Sequence, residues 1–229
     1  MMDLSVISAI KLSIVVGLCA TLVAIVPAIY VAKLLDHKNL RFKALLNLII
    51  FFPMVSPPVV TGYLLLLLLG RNSWIGKILE TVGIQIPFSL LGAIIASMVV
   101  GFPLLVMFIR SAFAALDPQL EQYALSAGHT PFETFMKVSL PLSFPGILAG
   151  AIVMFARSLG EFGATVVLAG NMEGETRTIS LAIYSLMDSA KRSSEANTLL
   201  VSSIVISLFA LIAYEACNRF YWKKIEWKQ

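Results

Sequence analysis

The sequence predicts an all-α fold, a polytopic transmembrane helical bundle of about five spanning helices with a helical cytoplasmic loop. Hydrophobic residues make up 59% of the 229 positions and charged residues only 13%, whereas soluble domains carry about 25% charged residues. The apolar runs are long and lack the period-two alternation of a membrane β-strand. Because unpaired backbone groups are costly in hydrocarbon, such runs must cross as helices. Residues 1–229 are therefore expected to form a single transmembrane domain.

Five segments meet the criterion of about 20 predominantly apolar residues for one crossing. They are residues 10–34, 44–69, 89–109, 142–166 and 198–220. Because the number is odd, the two termini are expected on opposite sides of the membrane.

The Lys and Arg residues predict the orientation, since positive residues near span ends are retained in the cytoplasm. Of the 17 such residues, ten fall on one face, six on the other, and Arg157 lies inside a span. This asymmetry favours an external N-terminus, a cytoplasmic C-terminus and a cytoplasmic loop at 111–141. It places Asn39 and Gln229 inside the cell, and Ser73 and Asn171 outside.

The second span is interrupted by Pro53, Pro57 and Pro58. Each proline lacks a backbone donor and clashes with the preceding turn, so the helix must kink or begin anew there. A bent packing helix and a broken helix beside a passage are both compatible with this pattern.

The loop at 111–141 contains start and stop signals for two short helices. Asp117 can cap the first, with Pro118 at its first position, and Gly128 suits the left-handed residue that ends it. Thr130 and Glu133 have the spacing of a capping box that opens the second.

Both loop helices have an apolar side. The predicted apolar residues are Leu116, Leu120, Tyr123, Ala124 and Ala127 in the first helix, and Phe132, Phe135 and Met136 in the second. Two amphipathic helices on a protein with little other soluble mass are typical of a surface that fits a partner's groove. The alternative is that they pack on the end of the bundle itself.

The loop resembles the EAA loop of ABC-importer permeases, whose usual form is Glu-Ala-Ala, three residues, Gly, nine residues, Ile-x-Leu-Pro. The matching residues are Glu121-Gln-Tyr-Ala124, Gly128 and Val138-Ser-Leu140-Pro141. The spacing from Gly128 to the Leu-Pro pair matches fully. Gln122, Tyr123 and Val138 depart from the usual residues, which shifts the correspondence of Glu121 by one position.

The resemblance implies that the loop docks in a cleft of a separate ATP-hydrolysing subunit and couples it to the spanning helices. The residues assigned to this coupling role are Leu120, Glu121, Ala124, Gly128, Pro131, Phe132, Val138, Leu140 and Pro141. The chain has no GxxxxGK[ST] phosphate loop, so ATP and magnesium would be bound by the partner ATPase. No cofactor is expected in this chain.

Three further segments, at 53–62, 155–165 and 174–184, look like the molybdate branch of that family. Sulfate permeases share a similar Ala-Arg-x-x-Gly-Glu-Tyr-Gly segment, so tungstate, sulfate and thiosulfate stay open as cargo. The resemblance also implies a homodimer in the bacterial inner membrane, a pair of cytoplasmic ABC ATPase subunits and a periplasmic oxyanion-binding protein.

Arg157 and Glu161 lie inside the fourth span, where an isolated charge costs about 2.5–3.5 kcal/mol. Their i,i+4 spacing puts both on one helical face, either as a self-neutralising pair or as part of a passage in which Arg157 attracts a dianion. Gly160 and Gly163 weaken the helix there, so the chain is expected to break and expose amides. The candidate pathway and gate residues are Pro53, Pro57, Pro58, Arg157, Ser158, Gly160, Glu161, Phe162, Gly163 and Thr165.

Other classes of function have little support in the sequence. There is no HExxH, no GxSxG and no pair of intramembrane aspartates to indicate a membrane enzyme. An ion-coupled secondary carrier is the alternative transporter, although no internal repeat is visible. Cys19 and Cys217 sit in separate apolar runs, and His37 and His129 stand alone in loops, so no metal site is predicted. The basic residues are scattered among membrane segments, which argues against nucleic acid.

Overall fold

The computed structural model describes residues 4–36, 42–187 and 193–226, so the predictions for His37, Asn39 and Gln229 fall outside it. Its regular elements are all helical within these ranges. They are α1 Leu4–Asp36, α2 Lys43–Val55, α3 Pro58–Leu69, α4 Trp74–Thr81, α5 Leu90–Ala114, α6 Pro118–Ser126, α7 Pro131–Thr134, a π-helical turn Phe135–Ser139, α8 Leu140–Leu159, α9 Gly163–Leu168, α10 Ile179–Met187 and α11 Ser193–Glu226.

Four helices of the described chain are long and apolar enough to cross a membrane. They are Leu4–Asp36, Leu90–Ala114, Pro131–Leu159 and Glu195–Arg219. The pair α2 and α3 makes a fifth if it is counted as one span, although its two halves are bent by 119°. The predicted all-helical membrane bundle of about five spans is therefore confirmed.

The centre of the bundle is built from α1, α5 and α8. Ala20, Ala24, Ala28 and Ala32 recur every four residues along α1, so they form one stripe, and all are fully buried. Small side chains let helix backbones approach closely, which is how helices gain packing energy in a lipid environment. Across this stripe lie larger residues, namely Leu105, Val106 and Ile109 of α5 and Met154 of α8.

The prediction of a fourth span at 142–166 is wrong at both ends. The helix runs continuously from Pro131 through the π-helical turn and stops at Leu159. Pro141 does not interrupt it, because it directly follows the π-helical turn, where the Leu140 amide donates five residues back to the Phe135 carbonyl. The i to i−4 bonding that a proline would break is already displaced there. The second loop helix is consequently the start of a spanning helix and not a separate short one.

Two short helices in the segments between spans were absent from the sequence prediction. One is α4, whose first turn is capped by the Ser73 hydroxyl accepting from the Gly76 amide at 2.8 Å. The other is α10, whose first amide, that of Ile179, donates to Ser13 of α1 at 2.7 Å. The first turn of each helix is capped by a single serine hydroxyl within apolar sequence. The criterion of a long apolar run does not detect short helices of this kind.

Candidate functional site

The second span breaks at Ser56 and Pro57, which are both extended between α2 and α3. Pro58 begins α3, where the missing N–H would have had no intrahelical partner. The hydroxyls of Ser56 and Thr61 lie 2.8 Å apart and connect the two sides of the break. Pro53 lies inside α2. The second span is therefore broken and not merely bent, and Pro57 and Pro58 mark the break.

The fourth span breaks at Gly160, between the end of α8 and the start of α9. The Ser180 hydroxyl donates to the Leu159 carbonyl at 3.1 Å and so satisfies one of the last carbonyls of α8. Glu161 accepts from the Ala164 amide at 2.9 Å, which satisfies one of the first donors of α9. Each new helix end therefore has a side-chain partner, as buried ends require.

Arg157 and Glu161 form the predicted ion pair, with 3.0 Å between the guanidinium Nη1 and the carboxylate Oε2. The expectation that both lie on one helical face is wrong, because Glu161 follows the end of α8 and its backbone is not helical. Glu161 is 2% exposed, whereas the Arg157 side chain is 35% exposed. The Glu161 carboxylate is thus enclosed, whereas the Arg157 side chain is partly exposed.

The two breaks lie against each other, although they are far apart in the sequence. A Cβ atom added to Gly62 of α3 would lie 2.7 Å from the Ala164 backbone in α9. A Cβ on Gly163 would lie 3.0 Å from both the Pro58 side chain and the Val59 amide nitrogen. These glycines let α3 and α9 pack backbone to backbone, which brings both interruptions into one site.

The remaining predicted pathway residues have different surroundings. The Ser158 hydroxyl donates to the Met154 carbonyl of its own helix at 3.0 Å. Thr165 is completely buried, and its hydroxyl has no hydrogen-bond partner among the described residues. The Phe162 ring lies 5.0 Å from the exposed Tyr184 ring of α10. The structure therefore brings Phe162 to a surface and encloses Ser158 and Thr165.

The turn between the two loop helices has the geometry predicted for it. The Asp117 carboxylate accepts from the Gln119 amide at 2.9 Å, and Gly128 has a φ of +91°. The Thr130 amide donates to Glu133 at 2.9 Å, while the Glu133 amide donates to the Thr130 hydroxyl at 3.3 Å. The Glu133 carboxylate also accepts from the Thr130 hydroxyl at 3.0 Å and lies 3.4 Å from the Lys137 ammonium.

The loop presents apolar side chains to its surroundings. No residue of α6 is buried. The exposed large apolar residues of the loop are Leu120, Tyr123, Leu125, Phe132 and Met136. Phe135 instead points inward and meets Phe113 with ring centroids 5.9 Å apart. The alternative, in which the apolar side of the two loop helices packs on the end of the bundle, is therefore wrong for most of these residues.

The other residues assigned to coupling are exposed or half-buried. Pro131 and Pro141 are exposed, and Ala124, Val138 and Leu140 are half-buried.

Glu121 points back towards the bundle. Its carboxylate accepts a hydrogen bond from Ser139 of the π-helical turn and lies 3.3 Å from the Lys33 ammonium near the end of α1. The Ser139 hydrogen bond and the Lys33 charge hold the pKa of Glu121 below its usual value despite partial burial. No pattern in the sequence indicates that Lys33 or Ser139 contacts Glu121.

Residues 24–222 match the family described as binding-protein-dependent transport system inner membrane component. The chain is 44% identical over 220 residues to the molybdenum transport system permease protein ModB of Haemophilus influenzae, covering 96% of each protein. It is 41% identical to ModB of Escherichia coli K12, covering 90% of this chain and 91% of that one. A putative molybdenum transport system permease protein of Bacillus subtilis, YvgM, is 36% identical, covering 87% of this chain and 88% of that protein.

Solved structures share the fold at low sequence identity. A structure of the MetNI methionine ABC transporter superposes with a TM-score of 0.72 at 16% identity, covering 94% of this chain and 95% of that one. A bacterial ABC transporter that imports alginate superposes with a TM-score of 0.65 at 16% identity, covering 96% of this chain and 80% of that one. The bundle with its broken helices is therefore an ABC-importer permease fold.

Proposed function

Because the chain belongs to the family of binding-protein-dependent transport system inner membrane components, we propose that it forms the membrane passage of an ATP-driven molybdate importer. The proposed passage rests on one observation: two helix breaks meet beside the partly exposed side chain of Arg157. Broken helices inside a bundle place backbone polar groups where an ion can be hydrated or bound. The relatives named for molybdenum transport support the choice of cargo.

The exposed loop is proposed to dock on a cytoplasmic ABC ATPase subunit. Its apolar residues Leu120, Tyr123 and Phe132 are exposed on two helices held at a fixed turn by Gly128. A helix pair of this kind suits a groove on a folded partner. Each chain supplies one such loop, so a homodimer would serve a pair of ATPase subunits. A periplasmic oxyanion-binding protein would deliver cargo on the opposite side.

The proposed orientation puts the N-terminus outside and the C-terminus in the cytoplasm. Single cysteines at Ser73 and Asn171 should then react with an impermeant thiol reagent in intact cells, in a background lacking Cys19 and Cys217. A cysteine at Ser126 of α6 should react only after the cells are permeabilised. Labelling of position 126 from outside would reverse the orientation and with it the docking proposal.

The cargo can be tested by uptake into vesicles that hold the permease and its ATPase, with the binding protein supplied outside. Labelled molybdate should accumulate when ATP is inside, and excess tungstate should compete. Sulfate and thiosulfate should compete weakly. If sulfate competes as well as unlabelled molybdate, the sulfate alternative replaces the molybdate one.

The ion-coupled carrier makes the opposite prediction about energy source. Uptake through an ATP-driven importer should persist when proton and sodium gradients are collapsed, and should stop when ATP is replaced by a non-hydrolysable analogue. Uptake that follows an imposed ion gradient without ATP would support the carrier and exclude the importer.

A further inference from the structure

Helix α6 is attached to the rest of the protein by few interactions. None of its residues is buried, and among the described elements it packs mainly on α7 and the π-helical turn. Its apolar residues Leu120 and Tyr123 are exposed. A helix with so little buried area would move independently unless a specific contact ties it down.

The specific contact is made by Glu121 on the inner side of α6. Its carboxylate Oε1 takes both the Ser139 hydroxyl and the Lys33 ammonium, the latter at 3.3 Å. Ser139 is completely buried, and the Lys33 and Glu121 side chains are 31% and 40% exposed. A charged acceptor shared by two donors is stronger than an exposed ion pair by itself, because one donor is held in the protein interior.

The Lys33 ammonium also lies over two aromatic rings. Its ammonium lies 5.9 Å from the Phe113 ring centroid and 5.6 Å from that of Phe135. Ammonium groups over aromatic faces at such distances are attracted to them. The contact thus joins α6 to α1, to the end of α5 and to the π-helical turn at once.

We propose that Lys33, Glu121 and Ser139 form a clamp that passes movement of α6 to α1 and, through the π-helical turn, to α8. The inference rests on the proposed docking of the ATPase at this loop. The outer residues of α6 contact the ATPase, whereas Glu121 on the inner side holds α6 against the bundle. Glu121 is therefore a positioning residue and not a docking residue. The π-helical turn suits this role because π-helical bonding is locally irregular and recurs at functional sites. At the far end of α8, Arg157 and Glu161 border the break.

Hydrogen exchange of α6 amides in the full-length permease, without ATPase, tests the clamp directly. Glu121→Gln and Lys33→Met should each speed exchange in α6 about tenfold, since hydrogen bonds to charged groups are among the stronger ones. Lys33→Arg keeps the charge and should behave like the wild type. Lys11→Met is the matched control, because it removes the same charge from an exposed site near the other end of α1.

The double variant Lys33→Met with Glu121→Gln decides whether the two residues act together. Exchange no faster than in the faster single variant is expected, because both changes remove one interaction. Additive effects, or unchanged exchange in Glu121→Gln, would overturn the clamp. Ser139→Ala should give a smaller acceleration of the same amides, and none at α10. Equal acceleration at α10 would mean general destabilisation and would also overturn it.

The assembled transporter tests transmission. Lys33→Met and Glu121→Gln should both retain the ATPase on purification yet transport about threefold to tenfold less cargo per ATP hydrolysed. Lys33→Arg keeps the positive charge over the two aromatic rings and should stay near the wild type. Loss of the ATPase from Glu121→Gln alone would make Glu121 a docking residue and overturn the inference. If the wild-type chain binds no ATPase, the proposed function fails and the transmission role fails with it. Hydrogen exchange of the α6 amides, measured without ATPase, would still show whether the clamp exists.

Discussion

The exposed loop and the paired helix breaks depend on interactions of different range. In the loop, Thr130 and Glu133 form hydrogen bonds with each other within one helical turn. Gly128 adopts a left-handed φ without support from distant residues, because glycine has no Cβ atom. At the breaks, α3 meets α9 and Ser180 reaches back to Leu159. The loop is therefore defined by neighbours in the sequence, and the breaks by contacts between distant segments.

This difference explains how the molecule divides its tasks. An exposed element with local caps can keep its shape while it is displaced as a unit, because few of its contacts cross to other elements. The contact between α3 and α9 is buried at Gly62 and Ala164, and a buried contact between backbones tolerates little change in volume. We therefore expect substitutions at the breaks to act mainly on stability and those in the loop mainly on coupling.

The largest effect should follow from Arg157→Met, which leaves Glu161 buried without its counter-charge. Removal of one partner from a buried pair costs about 3–5 kcal/mol. The melting temperature of the purified chain should fall steeply. It should recover in the double variant Arg157→Met with Glu161→Gln, because the second change removes the unpaired charge. A double variant as unstable as the single one would show that the pair is not the cause.

The same double variant separates a structural pair from a pathway residue. If Arg157 acts on the anion, the double variant should assemble with its ATPase and still transport poorly. Arg157→Lys then tests geometry, since lysine keeps the charge but loses the planar fork. Partial uptake would indicate potential alone. Full molybdate uptake by the double variant would leave Arg157 with only a structural role.

Gly62→Ala should have the next largest effect, because the added methyl group would lie 2.7 Å from the Ala164 backbone. Overpacking of this kind costs about 1–3 kcal/mol. Gly160→Ala is the matched control, since its nearest non-neighbouring atom is 3.8 Å away, an ordinary contact. Melting curves of the two variants should differ clearly. Equal stability would mean that α3 and α9 are not held as closely as described.

In the loop, Gly128→Val should cost less stability than the changes at the breaks but should disrupt coupling. A β-branched residue resists the φ of +91° at this position, a left-handed geometry that costs non-glycine residues roughly 1–2 kcal/mol. Asparagine tolerates such geometry better, so Gly128→Asn should retain co-purification with the ATPase. Normal transport by Gly128→Val would mean that the loop is not the docking element.

Several features of the site followed from the sequence because their causes are local. The Asp117 cap, the turn at Gly128 and the Thr130–Glu133 capping box involve residues a few positions apart, and all are present. The approximate number of spans likewise follows from the lengths of the apolar runs in the sequence. Glu121 was assigned to docking from its place in a motif. Its contact with Lys33 could not be anticipated, because α1 and α6 are distant in the sequence.

The sequence by itself determined that the chain is a helical membrane protein, that spans two and four are weakened by proline and glycine, and that the loop has capped helices. These properties follow from the solvation of backbone groups and from local dihedral preferences. Only the tertiary structure decided that the two breaks meet, that Glu161 is enclosed while Arg157 stays partly open, and that Glu121 turns inward. The physical reason is that side-chain direction and helix proximity depend on packing between segments, which a pattern along one chain does not record.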